Sequence, residues 1–323
     1  MTETSDWYAR AAIELAETSE LQTEWARGVA TDPELLALVD GLPREHRQPS
    51  LLFSAAAWCG APSEAYPIWR AWVLAHGESV AAAAATRRTQ TNEVGRCIPL
   101  LLGLDRVTAT ALAPIALLEL GAAAGLCLGV DRFSYSFDGG ALLGDGAPLL
   151  TATTTGQGRT PTTMPNIVWR AGIDLAPLDV RDAMHVRWLD ALLPPDRPAR
   201  HQRLHAAIST LAADPPRLVA GDALATLAGV AADIPPGLTL VVACLGTAVY
   251  LPPADRAALP SAVAALGGHL LAFESAASVP GIPDRLTTMT APKPSPFVLS
   301  LDGEPLAYAS AHGDRVSWLA ATG

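Results

Sequence analysis

Lysine is almost missing from this 323-residue chain: Lys293 is the only one, and the remaining basic side chains are arginines. With a net charge of −10, the chain is a poor electrostatic match for a phosphate backbone, so nucleic acid is excluded as the expected partner. The arginine bias and the abundance of alanine read as coding bias rather than function. Cysteine is sparse. Cys59, Cys97, Cys127 and Cys244 stand far apart with no C-x-x-C pair, which excludes a disulfide framework or a structural zinc site and leaves buried free thiols as the expectation. The seven histidines show no metal-ligand spacing. His185, His201 and His205 fit a helix face, and the His201/His205 pair at i, i+4 is more often solvated than ligating. The polar, acidic start has no secretory apolar region, and every apolar run is broken by proline, glycine or charge before it would span a bilayer. The expectation is a cytoplasmic protein with a small-molecule partner and no membrane, its oligomeric state left open.

Half of the residues are hydrophobic, enough for a sizeable core. The most informative stretch runs from Pro114 to Leu128. Ile115–Leu120 is a short apolar run with one charge, Glu119, near its end, as in a buried parallel strand. Gly121 and Gly125 follow with alanines between them, and Leu126 and Leu128 suit the first turn of a helix. Strand, small-residue turn and helix is the layout of a nucleotide-binding βα unit, in which a ligand lies close to the backbone and Glu119 can reach it. The same spacing also follows buried strands that merely pack tightly on a helix.

Residues 1–110 read as helical, with Asp32-Pro33 as a helix start and further helices over 49–59 and 67–76; their tryptophans are expected to pack rather than bind. Arg87–Arg96 breaks this pattern. It is densely polar between the alanine run 81–85 and the apolar 98–104, so Gln90, Asn92, Glu93 and Arg96 are candidates for a face turned towards a ligand; a solvated helix start is the alternative. Beyond the strand–turn–helix unit, Phe133, Tyr135 and Phe137 alternate as in a strand, and Asp138-Gly139 signals a hairpin. Residues 131–165 then read as an inserted hairpin and loop. Ile167–Asp174 is a strand ending in an acid. Helices over 182–193 and 200–213, strands at 218–224 (ending Gly221-Asp222), 238–245 and 269–273, a helix at 254–266, and terminal antiparallel strands at 296–301, 305–311 and 316–319 complete the order.

That order resembles the class I S-adenosylmethionine-dependent methyltransferases over about residues 110–320. The resemblance implies a Rossmann-like α/β domain at 111–323, mostly parallel with antiparallel C-terminal strands, behind an all-helical cap domain at 1–110. It implies S-adenosylmethionine as cofactor, with Glu119, Gly121, Ala123 and Gly125 on its methionine and ribose side. Asp174 would take the ribose hydroxyls, Asp222 and Ala223 the adenine edge, and Leu245, Gly246 and Thr247 would close the pocket. Asp174 stands further from Glu119 than the roughly 20 residues of a compact unit, and the insertion accounts for the excess. A second resemblance spans nearly the whole chain. The motifs Gln90–Arg96, Leu118–Leu126, Asp131–Tyr135, Arg170–Leu175 and Trp188–Ala191 look like an uncharacterised bacterial family, the domain of unknown function 2332. That family usually carries serine and asparagine where this chain has Ala123 and Cys127, so a serine nucleophile at the turn is lost here.

The function implied is methyl transfer to a small polar or anionic metabolite. Glu93, Asp131, Tyr135 and Tyr250 are candidates for a proton-handling role, and Gln90, Asn92, Arg96, Arg132 and Arg170 for substrate binding. The alternatives are another use of the same cofactor, or a catalytically silent relative that binds without transfer.

Overall fold

A computed structural model describes residues 3–110, 113–286 and 297–319. Lys293 and Pro296 (read above as the first residue of a terminal strand) lie outside them. In chain order the helices are α1 (Glu3–Glu14), α2 (Glu20–Thr31), α3 (Pro33–Asp40), α4 (Pro49–Cys59), α5 (Tyr66–Ala75), α6 (Gly77–Thr86), α7 (Cys97–Thr108), α8 (Ala183–Ala191), α9 (Pro198–Ala212), α10 (Ala223–Ala231), α11 (Pro253–Ala265) and α12 (Ile282–Arg285). The strands are β1 (Ile115–Leu120), β2 (Ser134–Phe137), β3 (Leu149–Thr155), β4 (Ile167–Asp174), β5 (Arg217–Ala220), β6 (Thr239–Leu245), β7 (His269–Ser275), β8 (Phe297–Leu301), β9 (Glu304–Ala309) and β10 (Arg315–Trp318). Among the described residues no helix is long and apolar enough to cross a membrane.

The chain forms two compact units: residues 1–91 with 181–204, and residues 92–180 with 205–323. The first division falls at 91/92, so the polar run Arg87–Arg96 is split between the units and α7 counts with the sheet.

The first unit is helical. Its centre is aromatic: Trp25 and Trp69 stack at 4.8 Å, and Phe53 meets both edge-on. The buried tryptophans are packing residues, as their helical spacing implies. Asp32 is a buried acid of this unit. Its carboxylate caps α3 by accepting the N–H groups of Glu34 (3.0 Å) and Leu35 (3.1 Å), accepts the Tyr66 hydroxyl at 3.0 Å, and pairs with Arg70. Burial alone would raise its pKa, but the Arg70, Leu35 and Tyr66 hydrogen bonds outweigh it and hold the group at about 2.

The second unit holds a ten-stranded sheet in the order β2-β3-β10-β9-β8-β7-β6-β1-β4-β5. From β7 to β5 all pairings are parallel, and β8, β9 and β10 run antiparallel to their neighbours on the β7 side. This is a mixed α/β fold with a large, mostly parallel sheet and antiparallel C-terminal strands. The pleat sends Leu118, Leu120, Ile173, Val242 and Cys244 to one face, where α10 and α11 cover them with Leu227, Val230, Leu259 and Val263. The other face packs on α7, close enough that a Cβ on Gly103 would lie 2.3 Å from Leu271.

Two local expectations are corrected. The segment after the small-residue turn, Leu126–Arg132, is a 3-10 helix and not an α-helix. Its first amide is taken by a side chain, and Tyr135 ties the end of the segment back on itself by donating to Val130 O at 2.6 Å. Residues 131–165, read as an inserted hairpin and loop, contribute two strands to the sheet. Asp138-Gly139 does turn with positive φ, but only Tyr135 and Leu143 bridge antiparallel across it. The following strand, β3, instead runs parallel to both β2 and β10 and extends the sheet.

Replacing Asp32 by alanine removes both a cap and an ion-pair partner, and is expected to destabilise the protein by about 1–3 kcal/mol in urea titrations at neutral pH. Because the folded pKa is depressed, that contribution is present above the ordinary aspartate range and lost as the pH falls towards about 2. The stability difference between wild type and variant should therefore shrink in acid; a pH-independent difference would contradict the assignment.

Candidate functional site

In the parallel part of the sheet the chain runs outward from β1 to β4 and β5, then returns to place β6 and β7 on the other side of β1. The strand order reverses between β1 and β6. In open α/β sheets the crevice at the carboxyl ends of the strands flanking such a reversal is where ligands bind. Glu119 sits at this edge of β1, flanked in register by Gly172 of β4 and Ala243 of β6. It is 3 % exposed, and its Oε2 has no hydrogen-bond partner. Burial pushes its pKa well above the usual carboxylate range; Cys127 and Asp174 push the same way, and Arg96 opposes them.

The loop after β1 is tightly folded. Gly121, Ala123 and Gly125 all have positive φ. Gly121 has no room for a side chain, since a Cβ would lie 2.2 Å from Thr247 Oγ1 in the loop after β6. Asp174, at the end of β4, accepts the Ala123 N–H on Oδ2 and the Ala176 N–H on Oδ1, both at 2.9 Å. Opposite, Glu274 at the end of β7 is 1 % exposed. Its Oε1 accepts the N–H groups of Thr247 (2.6 Å) and Ala248 (2.9 Å) and the Cys244 thiol at 3.2 Å. Burial raises the Glu274 pKa, while those amides, the thiol and Arg96 hold it back.

The segment Asn92–Arg96 links these loops. Asn92 Oδ1 accepts the Leu126 N–H at 2.9 Å, fixing the loop after β1. Glu93 Oε1 accepts the Gly95 N–H at 3.1 Å and closes a short turn. Arg96 Nη1 donates to Leu245 O at 2.6 Å, at the end of β6, and its Nε donates to Ala311 O between β9 and β10. The guanidinium lies over Gly246, where a Cβ would come within 2.2 Å of Nη1, and 5.5 Å from the Phe297 ring. Among the described residues no three His, Cys, Asp or Glu side chains are grouped to hold a metal.

The family described as "uncharacterized protein conserved in bacteria (DUF2332)" matches residues 5–318. The chain belongs to this family. No curated protein and no solved structure gives a significant match. Membership therefore brings no chemistry with it, and the site has to be read from its own atoms.

Of the residues singled out from the sequence, Asn92, Glu93, Arg96, Glu119, Gly121, Ala123, Asp174, Leu245 and Gly246 converge at this edge. Gly125 does so through the turn it closes, its N–H bonding Ala122 O. Others are held elsewhere. Asp131 and Arg170 form a bidentate pair at 2.7 and 2.9 Å, and Arg170 also donates to Leu128 O and Ile167 O, so the two clamp the 3-10 segment to β4. Arg132 pairs with Asp214 at the surface. The Tyr135 hydroxyl is fully buried on Val130 O. Asp222 caps α10 through the Leu224 and Ala225 amides, and Ala223 packs in the core beneath. Tyr250 is exposed in the loop after β6. Gln90 lies in the first unit. Two residues were missed from the sequence: Glu274 and His312. For Glu274 the signal was present, an acid closing an apolar strand as Glu119 does; His312 has none.

Gly246→Ala should destabilise the protein by more than Gly139→Ala. Both glycines have positive φ (78° and 69°), but a Cβ on Gly139 meets nothing within 4 Å, whereas at Gly246 it collides with Arg96. Strain of this backbone type costs about 1–3 kcal/mol, and the collision adds to it. Equal losses in denaturant titrations would show that Arg96 does not rest on Gly246.

Proposed function

We propose that the sheet unit binds S-adenosylmethionine at the carboxyl edge of β1, β4 and β6 and transfers its methyl group to a small polar or anionic molecule. The observation that carries this reading is Glu119, a buried carboxyl with one oxygen lacking a partner, beside the point where the strand order reverses. A buried acceptor left unpaired is costly, and a ligand donor such as an ammonium group supplies what it lacks. The neighbouring groups fit the same ligand. In this reading Asp174, whose two oxygens order the turn through the Ala123 and Ala176 amides, is the acid that meets the ribose hydroxyls. Ala123 and Gly121 place no long side chain over the turn. The cofactor would supply a methyl group made electrophilic by the sulfonium, leaving alignment of the acceptor to the protein. Arg96 retains N–H donors beyond its two carbonyl bonds, suited to an anionic group on the acceptor. Arg132 and Arg170 do not serve in this reading, since acids of the chain already engage them.

A second reading, a relative that binds the nucleoside without transfer, is favoured by the closure of the turn: the Ala123 and Leu126 amides are taken by Asp174 and Asn92. Calorimetric titration with S-adenosylmethionine and S-adenosylhomocysteine tests both. Micromolar binding is expected, weakened roughly tenfold or more in Glu119→Gln and in Asp174→Ala. Absence of heat with either nucleoside would overturn both readings. Binding without methyl loss across a panel of small hydroxyl and amine acceptors would favour the second.

A further inference from the structure

We propose that His312 is a proton acceptor of this site, with Glu93 as the buried carboxylate that positions it. His312 lies in the turn between β9 and β10, and this turn is pressed onto the Glu93–Arg96 turn. A Cβ on Gly95 would lie 2.0 Å from His312 O, and one on Gly313 would lie 2.2 Å from Gly95 O, so the two backbones meet with no side chain between them. Arg96 Nε on Ala311 O fastens the same contact. The approach brings His312 Nδ1 to 3.4 Å from Glu93 Oε2.

Burial falls along this pair. Glu93 is 4 % exposed and anchored through Oε1 on the Gly95 amide, the Nδ1 atom is itself buried, and the His312 side chain still keeps about a third of its surface open. The open part of the ring is therefore not the nitrogen facing Glu93. A carboxylate facing Nδ1 selects the tautomer with its proton there and leaves the lone pair on Nε2, the arrangement in which a buried acid orients an imidazole as general base. Through Arg96 the same turn reaches Leu245 O at the end of β6, so the pair stands beside the edge described above rather than on a remote surface.

The step assigned to His312 is a proton transfer. The acceptor's X–H bond breaks, its electron pair stays on X, and an N–H bond forms at Nε2; the resulting imidazolium remains against the Glu93 carboxylate. Such a base serves an acceptor whose nucleophile carries a dissociable proton, a hydroxyl or an ammonium group, and has no role for a carboxylate acceptor. That substrate class rests on the transfer reading above, whereas the pairing of Glu93 with His312 does not.

Long-range proton–nitrogen NMR on uniformly labelled protein reads the tautomer directly, with the His312 signals assigned by their loss in His312→Gln. The expected result is the Nδ1–H form for neutral His312 in the wild type, changing to the commoner Nε2–H form in Glu93→Gln and retained in Glu93→Asp. An Nε2–H ring in the wild type would overturn the proposal. Carbethoxylation by diethyl pyrocarbonate supplies a second measurement that needs no acceptor: His312 should react, and several-fold more slowly in Glu93→Gln. Where calorimetry shows S-adenosylhomocysteine bound, saturation with it should slow the modification of His312 several-fold, and an unchanged rate would place the ring outside the site and overturn its role. An Nδ1–H ring in a protein that binds neither nucleoside would uphold the pair while removing the methyl-transfer reading.

Discussion

The guanidinium of Arg96 is the interaction on which the carboxyl edge of the sheet depends. Glu119 on β1 and Glu274 on β7, with β6 between them, are both buried there, and Arg96 is close enough to pull both of their pKa values down. Removing charge from water is costly unless a partner of opposite sign and hydrogen bonds compensate, and here a single guanidinium opposes burial at two acids at once. The imbalance is met unequally. Glu274 is satisfied by two amides and a thiol, Glu93 takes the Gly95 amide and has the His312 ring 3.4 Å from its other oxygen, and Glu119 retains an oxygen with no partner. Glu119 stands at the strand-order reversal. That coincidence ties the electrostatics of the edge to its topology.

The same arginine explains why the five-residue segment Asn92–Arg96 has such reach. Asn92 holds the loop after β1, Arg96 holds the carbonyl at the end of β6, and the Glu93–Arg96 turn receives the β9–β10 turn so closely that Gly95 and Gly313 tolerate no side chain. Three loops that the fold brings to one edge are thus fixed by a single segment. The clamp of Arg170 on Asp131 does similar work one layer away, holding the 3-10 segment against β4. Arginines that read from the sequence as ligand-binding groups divide into those that build the scaffold and one that stands at the edge.

Much of the fold was legible because its signals are local. β1 and β4 fall at the predicted residues, since an apolar run closed by an acid and a glycine has few other solutions. Asp32-Pro33 started a helix where an N-cap and an N1 proline require one. What escaped was set by tertiary contacts. α10 is a short apolar helix hidden behind Gly221-Asp222, where the sequence read a strand over 218–224. The direction of β3 was not readable because its partners, β2 and β10, are distant in the chain or joined by a long connection. The polar break at Arg87–Arg96 was visible because its flanks are apolar, yet the partners of its Glu93–Arg96 part, Ala311 and His312, sit on a turn with no sequence signature. Asp131, Arg132, Tyr135 and Arg170 had the right chemistry for a site, and only geometry shows that other residues of the chain already occupy their polar atoms.

Amide hydrogen exchange with and without S-adenosylhomocysteine tests the central claim, that the edge around Glu119 is where this protein takes its ligand. The account predicts slowed exchange confined to the loops after β1, β4 and β6 and to the turn around Gly95. Slowed exchange elsewhere in the chain, or no change in a protein shown to be folded, would contradict it.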